Sequence, residues 1–462
     1  MGASNRPGDV DLLKKLFMRN LTPALAVSIS ILFASNALAA DLLQVFRDAT
    51  ANDATYTSAR FAVAAGRERL PQGRALTLPT VNLTGNSLHS NNHILQRLPT
   101  SNFPVTRNFS SNVFTITMTQ PLYRPQNTLQ YEQAEYQVSQ AEAQFGQAFQ
   151  DLVVRVSQAY FDVLNAENGL AFVRAQKAAI TEQLAQAKRN FEVGTTTITD
   201  TNEAQARFDL SVSQEIAAQN DLELRNQSLQ QIVGKLPENL TPLRSSFKMA
   251  PPEPARMDDW VGTAQKNAYP VRIQEAATEI SAREVERARA GHRPTLDLVA
   301  TVANSAVGSS VNNGIGADTR TGTLGLQLAF PIFSGWSVDS RIREALANLD
   351  RSRSDLESNR RQAATLARQS FVGVTNGIAQ VRALEQAVTS SETALASNKL
   401  GYEVGVRINI DVLNSQQQLF STKRDLARAR YDTIMNGLRL KAAAGTLVDE
   451  DVVAVNRLLG ND

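Results

Sequence analysis

From Tyr131 onward the chain places an apolar residue at every seventh position: Val138, Phe145, Leu152, Ala159, Ala166, Val173, Ile180 and Ala187. A second row runs through Phe149, Val156, Val163, Leu170, Leu184 and Phe191, interrupted at Lys177. A sustained 3.5-residue period is the seam of a coiled coil. No proline follows Pro125 before Asn190, so the pattern predicts one helix over 125–190, about 100 Å long at 1.5 Å per residue. The seam returns with Ala367, Val374, Val381, Val388 and Leu395 and predicts a second long helix over 336–401. Each long helix ends at a Val-Gly pair, where Gly194 and Gly405 suit the positive φ of a helix C-terminus. The chain then returns as shorter helices over 200–233 and 409–443, the first of which Thr199 or Asp200 can cap.

Ahead of each long helix the period changes to two. Phe114, Ile116 and Met118 alternate with Thr115, Thr117 and Thr119; Leu296, Leu298, Ala300 and Val302 alternate with Asp297, Val299, Thr301 and Ala303. Leu324, Leu326, Leu328 and Phe330 alternate with Gly325, Gln327 and Ala329. One apolar and one small or polar face suits a half-buried sheet or a lipid-facing barrel strand. The pattern predicts hairpins over 79–121 and 294–331, with strands about as long as a tilted strand needs to cross a bilayer, roughly ten to twelve residues. Loops rich in Asn, Ser and Gly are expected near 88–109 and 306–319. Residues 41–74 and 258–291, rich in Ala, Arg and Glu, read as helices.

These two runs of elements are copies of one unit. Phe191-Glu192-Val193-Gly194 recurs as Tyr402-Glu403-Val404-Gly405, roughly 210 residues on. Asp200 matches Asp411, Tyr160 matches Phe371, Gln120-Pro121-Leu122-Tyr123 matches Phe330-Pro331-Ile332-Phe333, and Pro79 matches Pro294. The expected organisation is a first repeat over 40–250, a Pro-rich linker over 251–257, a second repeat over 258–450 and a C-terminal segment over 451–462. Residues 1–39 are an N-terminal extension and secretory signal: Lys14, Lys15 and Arg19 precede an apolar stretch from Leu21 to Phe33, then Ala37-Leu38-Ala39. Cleavage is expected after Ala39 or Ala40.

Composition narrows the function classes. Lys and Arg number 47 against 45 Asp and Glu, and no basic face is gathered as a nucleic-acid binder requires. There is no cysteine, hence no disulfide, thiolate metal site or cysteine nucleophile. No catalytic constellation and no cofactor motif appears, so no enzyme is expected. The spacing of His89 and His93 fits a metal pair on a helix, but in an Asn-rich segment it reads as a solvated loop without metal.

Four strands cannot close a barrel, and a sheet in lipid must close. Two copies give eight strands, whose interior side chains fill; three copies give twelve and leave an aqueous lumen. The expected fold is therefore an α+β membrane protein. It forms a trimeric, twelve-stranded antiparallel β-barrel, four strands per subunit, continued by a long coiled-coil α-helical barrel. Tyr123, Phe333 and Trp336, just after strand ends, suit an interface or simple packing at the junction.

The chain resembles the TolC family of outer-membrane factors. The resemblance rests on Ala159-Tyr160-Phe161-Asp162-Val163-Leu164-Asn165-Ala166, Ala175-Gln176-Lys177-Ala178-Ala179-Ile180, Ile198-Thr199-Asp200, and Gly291-His292-Arg293-Pro294-Thr295-Leu296-Asp297-Leu298. It extends to Ile410-Asp411-Val412-Leu413 and Lys441-Ala442-Ala443-Ala444-Gly445-Thr446-Leu447. It implies a homotrimeric exit duct in the outer membrane with a long periplasmic extension and an equatorial belt built from 234–258 and the C-terminus. Such a duct serves type I secretion or multidrug efflux and docks to a periplasmic adaptor and an inner-membrane ABC or RND transporter. The resemblance also implies a gate of Thr199, Asp200, Tyr402 and Arg407 at the helix-return turns. An entrance acidic ring falls on Asp411 and on Asn414, where the charge is absent, while Glu203 holds the repeat-equivalent place. Outside the resemblance, the residues leave open a secreted coiled-coil structural or adhesive protein.

Overall fold

The computed structural model describes residues 40–97, 102–244, 249–308 and 315–460. The expected secretory signal over 1–39 lies outside them. In chain order come α1 (Leu42–Asn52), α2 (Ala54–Arg67), α3 (Arg69–Ala75), β1 (Thr80–Arg97), β2 (Asn102–Tyr123), α4 (Pro125–Glu192) and α5 (Ile198–Val233). After them follow α6 (Met257–Asn267), α7 (Tyr269–Arg289), a 3-10 turn (Ala290–His292), β3 (Thr295–Val307), β4 (Ala317–Ala329), α8 (Ser337–Glu403) and α9 (Asn409–Ala443), then α10 (Asp449–Asn456).

The 41–74 and 258–291 segments are not single helices. The first breaks at Asp53, whose extended backbone (φ −64°, ψ 118°) lets its carboxylate accept from the Tyr56 amide at 2.6 Å and cap α2. The second breaks at Ala268, with Pro270 in the first turn of α7, where a missing N–H costs nothing.

The four strands form one antiparallel sheet in the order β1-β2-β3-β4. Directly paired residues share a face, and the register sorts the side chains sharply. Val81, Leu83, Ile116, Met118, Ala300, Val302, Leu324 and Leu326 lie on one face. Asn82, Thr84, Thr115, Thr117, Thr301, Thr323 and Gly325 lie on the other. The apolar face is bare: Leu324, Leu326 and Leu328 are 73%, 66% and 69% exposed.

The first hairpin exceeds expectation. β1 has 18 residues and β2 22, pairing without interruption up to Arg97 and Asn102. Much of the loop expected at 88–109 is ladder. The segment is polar on both faces, which hides its period, yet cross-strand bonds still form: His89 Nδ1 lies 3.2 Å from Ser110 Oγ and His93 Nδ1 2.7 Å from Thr106 Oγ1. The two histidines therefore sit on a strand, each bonded to its own partner. β3 ends at Val307 opposite Ser111, so the first hairpin runs on beyond the second.

α4 has 68 residues and α8 has 67, about 100 Å each. The seam is seen in their burial: Leu152, Val156, Ala159, Val163, Ala166, Leu170, Ile180, Leu184 and Ala187 are buried, as are Ala367, Val374 and Val381. Phe191 leaves the seam and is exposed. Lys177, the interruption, reaches Glu215 on α5 at 2.8 Å, where Arg174 joins at 3.1 Å. Hydrogen bonds from Lys177 and Arg174 hold the Glu215 carboxyl below its ordinary range.

The largest core lies where α1, the middle of α4, the end of α5, α9 and α10 meet. Leu42, Phe46, Leu152, Val156, Tyr160, Phe161, Leu229, Tyr431, Met435 and Val452 close it. The 240–243 strap ties the two ends of the described residues together: Ala40 bridges Leu240, and Leu243 bridges Leu459. Tyr160 Oη donates to the Thr241 carbonyl at 2.7 Å. Burial among these groups pushes the Tyr431 hydroxyl up to about 12; Asn168 Nδ2 donates to it at 2.7 Å.

Candidate functional site

The two helix-return turns repeat at the level of single hydrogen bonds. At the first, Thr195 N–H donates to the Asn190 carbonyl and Gly194 N–H to that of Phe191; at the second, Val406 N–H donates to Gly401 and Gly405 N–H to Tyr402. This is the Schellman motif, which needs a left-handed residue after the last helical turn. Gly194 (φ 79°) and Gly405 (φ 78°) supply it. The residue capping α5 is Thr197, not Thr199 or Asp200: its hydroxyl accepts from the Asp200 amide at 3.4 Å. Asp200 answers from the third helical position, its Oδ2 accepting from the Thr197 amide at 3.2 Å. The reciprocal pair is a capping box.

The four expected gate residues do not meet within one chain. The Asp200 carboxylate is engaged by Thr197, and Thr199 is exposed. Tyr402 reaches a different partner, its Oη accepting from Asn190 Nδ2 at 3.3 Å and joining the end of α8 to the end of α4. Arg407 packs over Gly401, where an added Cβ would stand 2.7 Å from Arg407 Cγ. Its Nη1 lies 3.6 Å from Asp411 Oδ2, one turn on and largely in solvent.

The three entrance residues have separate fates. Asp411 faces Arg407, Glu203 is exposed on α5, and Asn414 Oδ1 accepts from Arg207 Nη2 at 3.0 Å. The other arm of Arg207 reaches Gln417 Oε1 at 2.7 Å. Behind this link Gln183 of α4 bonds Asn409 of α9; both are buried. Arg207, Asn190, Gln183 and Asn409 were not legible as partners beforehand. The available signal was spacing alone: Arg207 lies seven residues after Asp200, two turns along the same helical face.

Around the tips, Val193, Ile198, Val404, Val406 and Ile408 are exposed apolar residues that nothing among the described residues covers. Soluble surfaces seldom gather such residues without a partner. Among the described residues no group of three or more His, Cys, Asp or Glu could hold a metal, and no helix is long and apolar enough to cross a membrane.

The sequence model of a family described as outer membrane efflux protein matches residues 45–235 and 260–446. The chain is 32% identical over 450 residues to the proteases secretion protein PrtF of Dickeya chrysanthemi, covering 94% of each. It is 30% identical over 457 residues to the outer membrane protein TolC of Escherichia coli, covering 96% of this chain and 90% of that one. The crystal structure of the Campylobacter jejuni CmeC outer membrane channel superposes with a TM-score of 0.77 at 14% identity, covering 99% of this chain and 97% of that one. At that identity the likeness speaks for the fold.

Proposed function

The chain belongs to the outer membrane efflux protein family, and from that membership we propose that it is a passive exit duct across the outer membrane. Three copies, each supplying four strands, close a twelve-stranded barrel with a water-filled lumen. The long helices continue that lumen into the periplasm. The observation that carries this reading is the two-faced sheet. Its bare leucines need lipid, and its threonine face suits water. Both edges, β1 and β4, are unpaired among the described residues of one chain, and lipid offers such edges no hydrogen bonds.

The cargo we propose is protein delivered by type I secretion, in line with the protease-secretion relative; export of small molecules uses the same lumen. The exposed tip residues, Val193, Ile198, Val404, Val406 and Ile408, are where a periplasmic adaptor and its inner-membrane transporter dock. Docking opens the tunnel by separating the helix pair α4/α5 from α8/α9. Thr199, Asp200, Tyr402 and Arg407 act at that end, with bonds from Arg407 to a neighbouring subunit's turn completing the closure.

Reconstitution of the detergent-purified protein into planar bilayers tests the duct. Ion conductance together with a trimeric mass is the expected result. A monomer that stays out of bilayers would instead favour a secreted coiled-coil structural protein.

A further inference from the structure

Arg207 is the one cation among the described residues that bridges the two return helices, α5 and α9, near their inner end. Its two arms end on two neutral amides, Asn414 at 3.0 Å and Gln417 at 2.7 Å. Its guanidinium has no ion pair among the described residues, unlike Arg174, Arg225 and Arg430 on α4, α5 and α9 and Arg407 in the second return turn. A planar fork with five donors suits this use, since it spans two acceptors one turn apart and keeps its charge at any pH.

Two consequences follow from chemistry. An amide takes the hydrogen bond but not the charge, so the positive field of Arg207 remains. Asp411 lies three residues before Asn414 on the same face of α9, and Glu203 lies four residues before Arg207 on the same face of α5. Arg207 thus lies one turn further from the tips than Glu203 on its own helix and than Asp411 beside its partner Asn414. The bond is also mechanical: it ties α5 to α9 directly, where the other links between the pairs at this end start from α4 (Gln183 to Asn409, Asn190 to Tyr402).

We propose that Arg207 is a specificity-determining residue of the duct, tying the return helices together and offsetting the acidic field of Asp411 and Glu203. The offset makes the entrance tolerant of anions and of acidic polypeptide segments. This rests on the duct reading above.

The two roles separate by substitution in the full-length protein, reconstituted in planar bilayers under a potassium chloride gradient. Arg207→Gln removes the charge and the fork, and raises both resting conductance and the cation-over-anion permeability ratio. The ratio rises severalfold, because one unit charge across several ångströms of water raises the local cation and lowers the local anion concentration by about two- to threefold each. Arg207→Lys keeps the charge but not the two-armed bond, so conductance rises while the ratio stays. Asn414→Asp supplies a carboxylate to Arg207; the ratio rises and resting conductance falls. Trimeric mass and heat resistance of each variant on gels confirm that it has folded. Wild-type protein that does not conduct overturns the duct itself. A conducting wild type with Arg207→Gln identical to it in both readouts overturns the role of Arg207 alone.

Discussion

Arg124 grips Asp297 with both arms where the sheet hands over to the long helix: Nε lies 2.7 Å from Oδ1 and Nη2 2.5 Å from Oδ2. The carboxylate belongs to β3 and is 4% exposed, while the arginine precedes α4 and keeps a solvent-facing edge. The pair therefore ties the second hairpin to the long helix that follows the first.

That asymmetry sets the first prediction. Removing the arginine leaves a buried carboxylate unpaired, the costly half of a broken buried ion pair. Removing the acid leaves an arginine that water can reach. Arg124→Met should therefore cost about 2–4 kcal/mol and Asp297→Asn clearly less, read as loss of heat resistance of the assembled protein. Equal losses from the two substitutions would contradict this account.

Acid should weaken the packing of α2 against the middle of α4 through Asp53. Burial raises its pKa, but Arg155 at 3.1 Å, with its charge, and the amides of Tyr56 and Thr55 together outweigh burial and hold it below 3.8. A depressed carboxyl contributes stability above its unfolded pKa and loses it as pH falls through the folded one. Wild-type melting temperature should therefore drop as pH is lowered below about 4. Asp53→Asn should melt lower at neutral pH and show a smaller drop. An unchanged slope in the variant would assign the acid sensitivity to other groups.

Closure at the inner end is expected to be a sum of weak bonds. The Tyr402 to Asn190 hydrogen bond contributes about 0.5–1.5 kcal/mol per subunit, and threefold repetition in the proposed trimer multiplies it. Tyr402→Phe should raise resting conductance in bilayers, and Asp200→Ala with Arg407→Ser should raise it further. If the double variant conducts like wild type, Arg407 makes no closing bond to a neighbour. Its role then ends at Asp411 of its own chain.

Trp336 offers a spectroscopic reading of where lipid ends. It is a left-handed residue (φ 62°), 70% exposed, stacked edge-on with Phe333 at 6.1 Å. It follows the bare leucines of β4, where an interfacial indole is expected. The other tryptophan, Trp260, is buried and donates to the Pro254 carbonyl. In a Trp260→Phe background, brominated phospholipids should quench the remaining emission. Emission that iodide quenches and brominated lipid does not would place the 330–336 turn in water.

The seam residues were readable because burial of α4 and α8 repeats every seven positions, and Leu152, Val156, Ala159 and Val163 are buried where the pattern puts them. The sheet faces were readable for the same reason, at period two. What stayed hidden lacks a period. Between Leu88 and Asn92 the strand is polar on both sides, so composition points to a loop although the ladder continues. Polar bonds between helices depend on the rotation of each helix about its axis, which a row of alanines and valines fixes only loosely. Hence Arg207 to Asn414 and Tyr402 to Asn190 emerge only from packing. Asp200 illustrates the converse. Its position beside a return turn was legible, but the hydroxyl three residues earlier takes its carboxylate for a cap.

Cation preference at the inner end should depend more on Glu203 than on Asp411. Both carboxylates lie on return helices, but Asp411 has Arg407 at 3.6 Å, which cancels part of its field. Glu203 is exposed and has no ion pair among the described residues. Nearby unit charges in water change local ion concentrations about twofold each, and added salt screens them. Reversal potentials at low ionic strength should therefore show a larger loss of cation preference in Glu203→Gln than in Asp411→Asn, with both differences shrinking at 1 M salt. The opposite order would mean that Arg407 turns away from Asp411 in the assembled channel. That outcome would return Arg407 to a neighbouring subunit's turn and strengthen the case for closure between subunits.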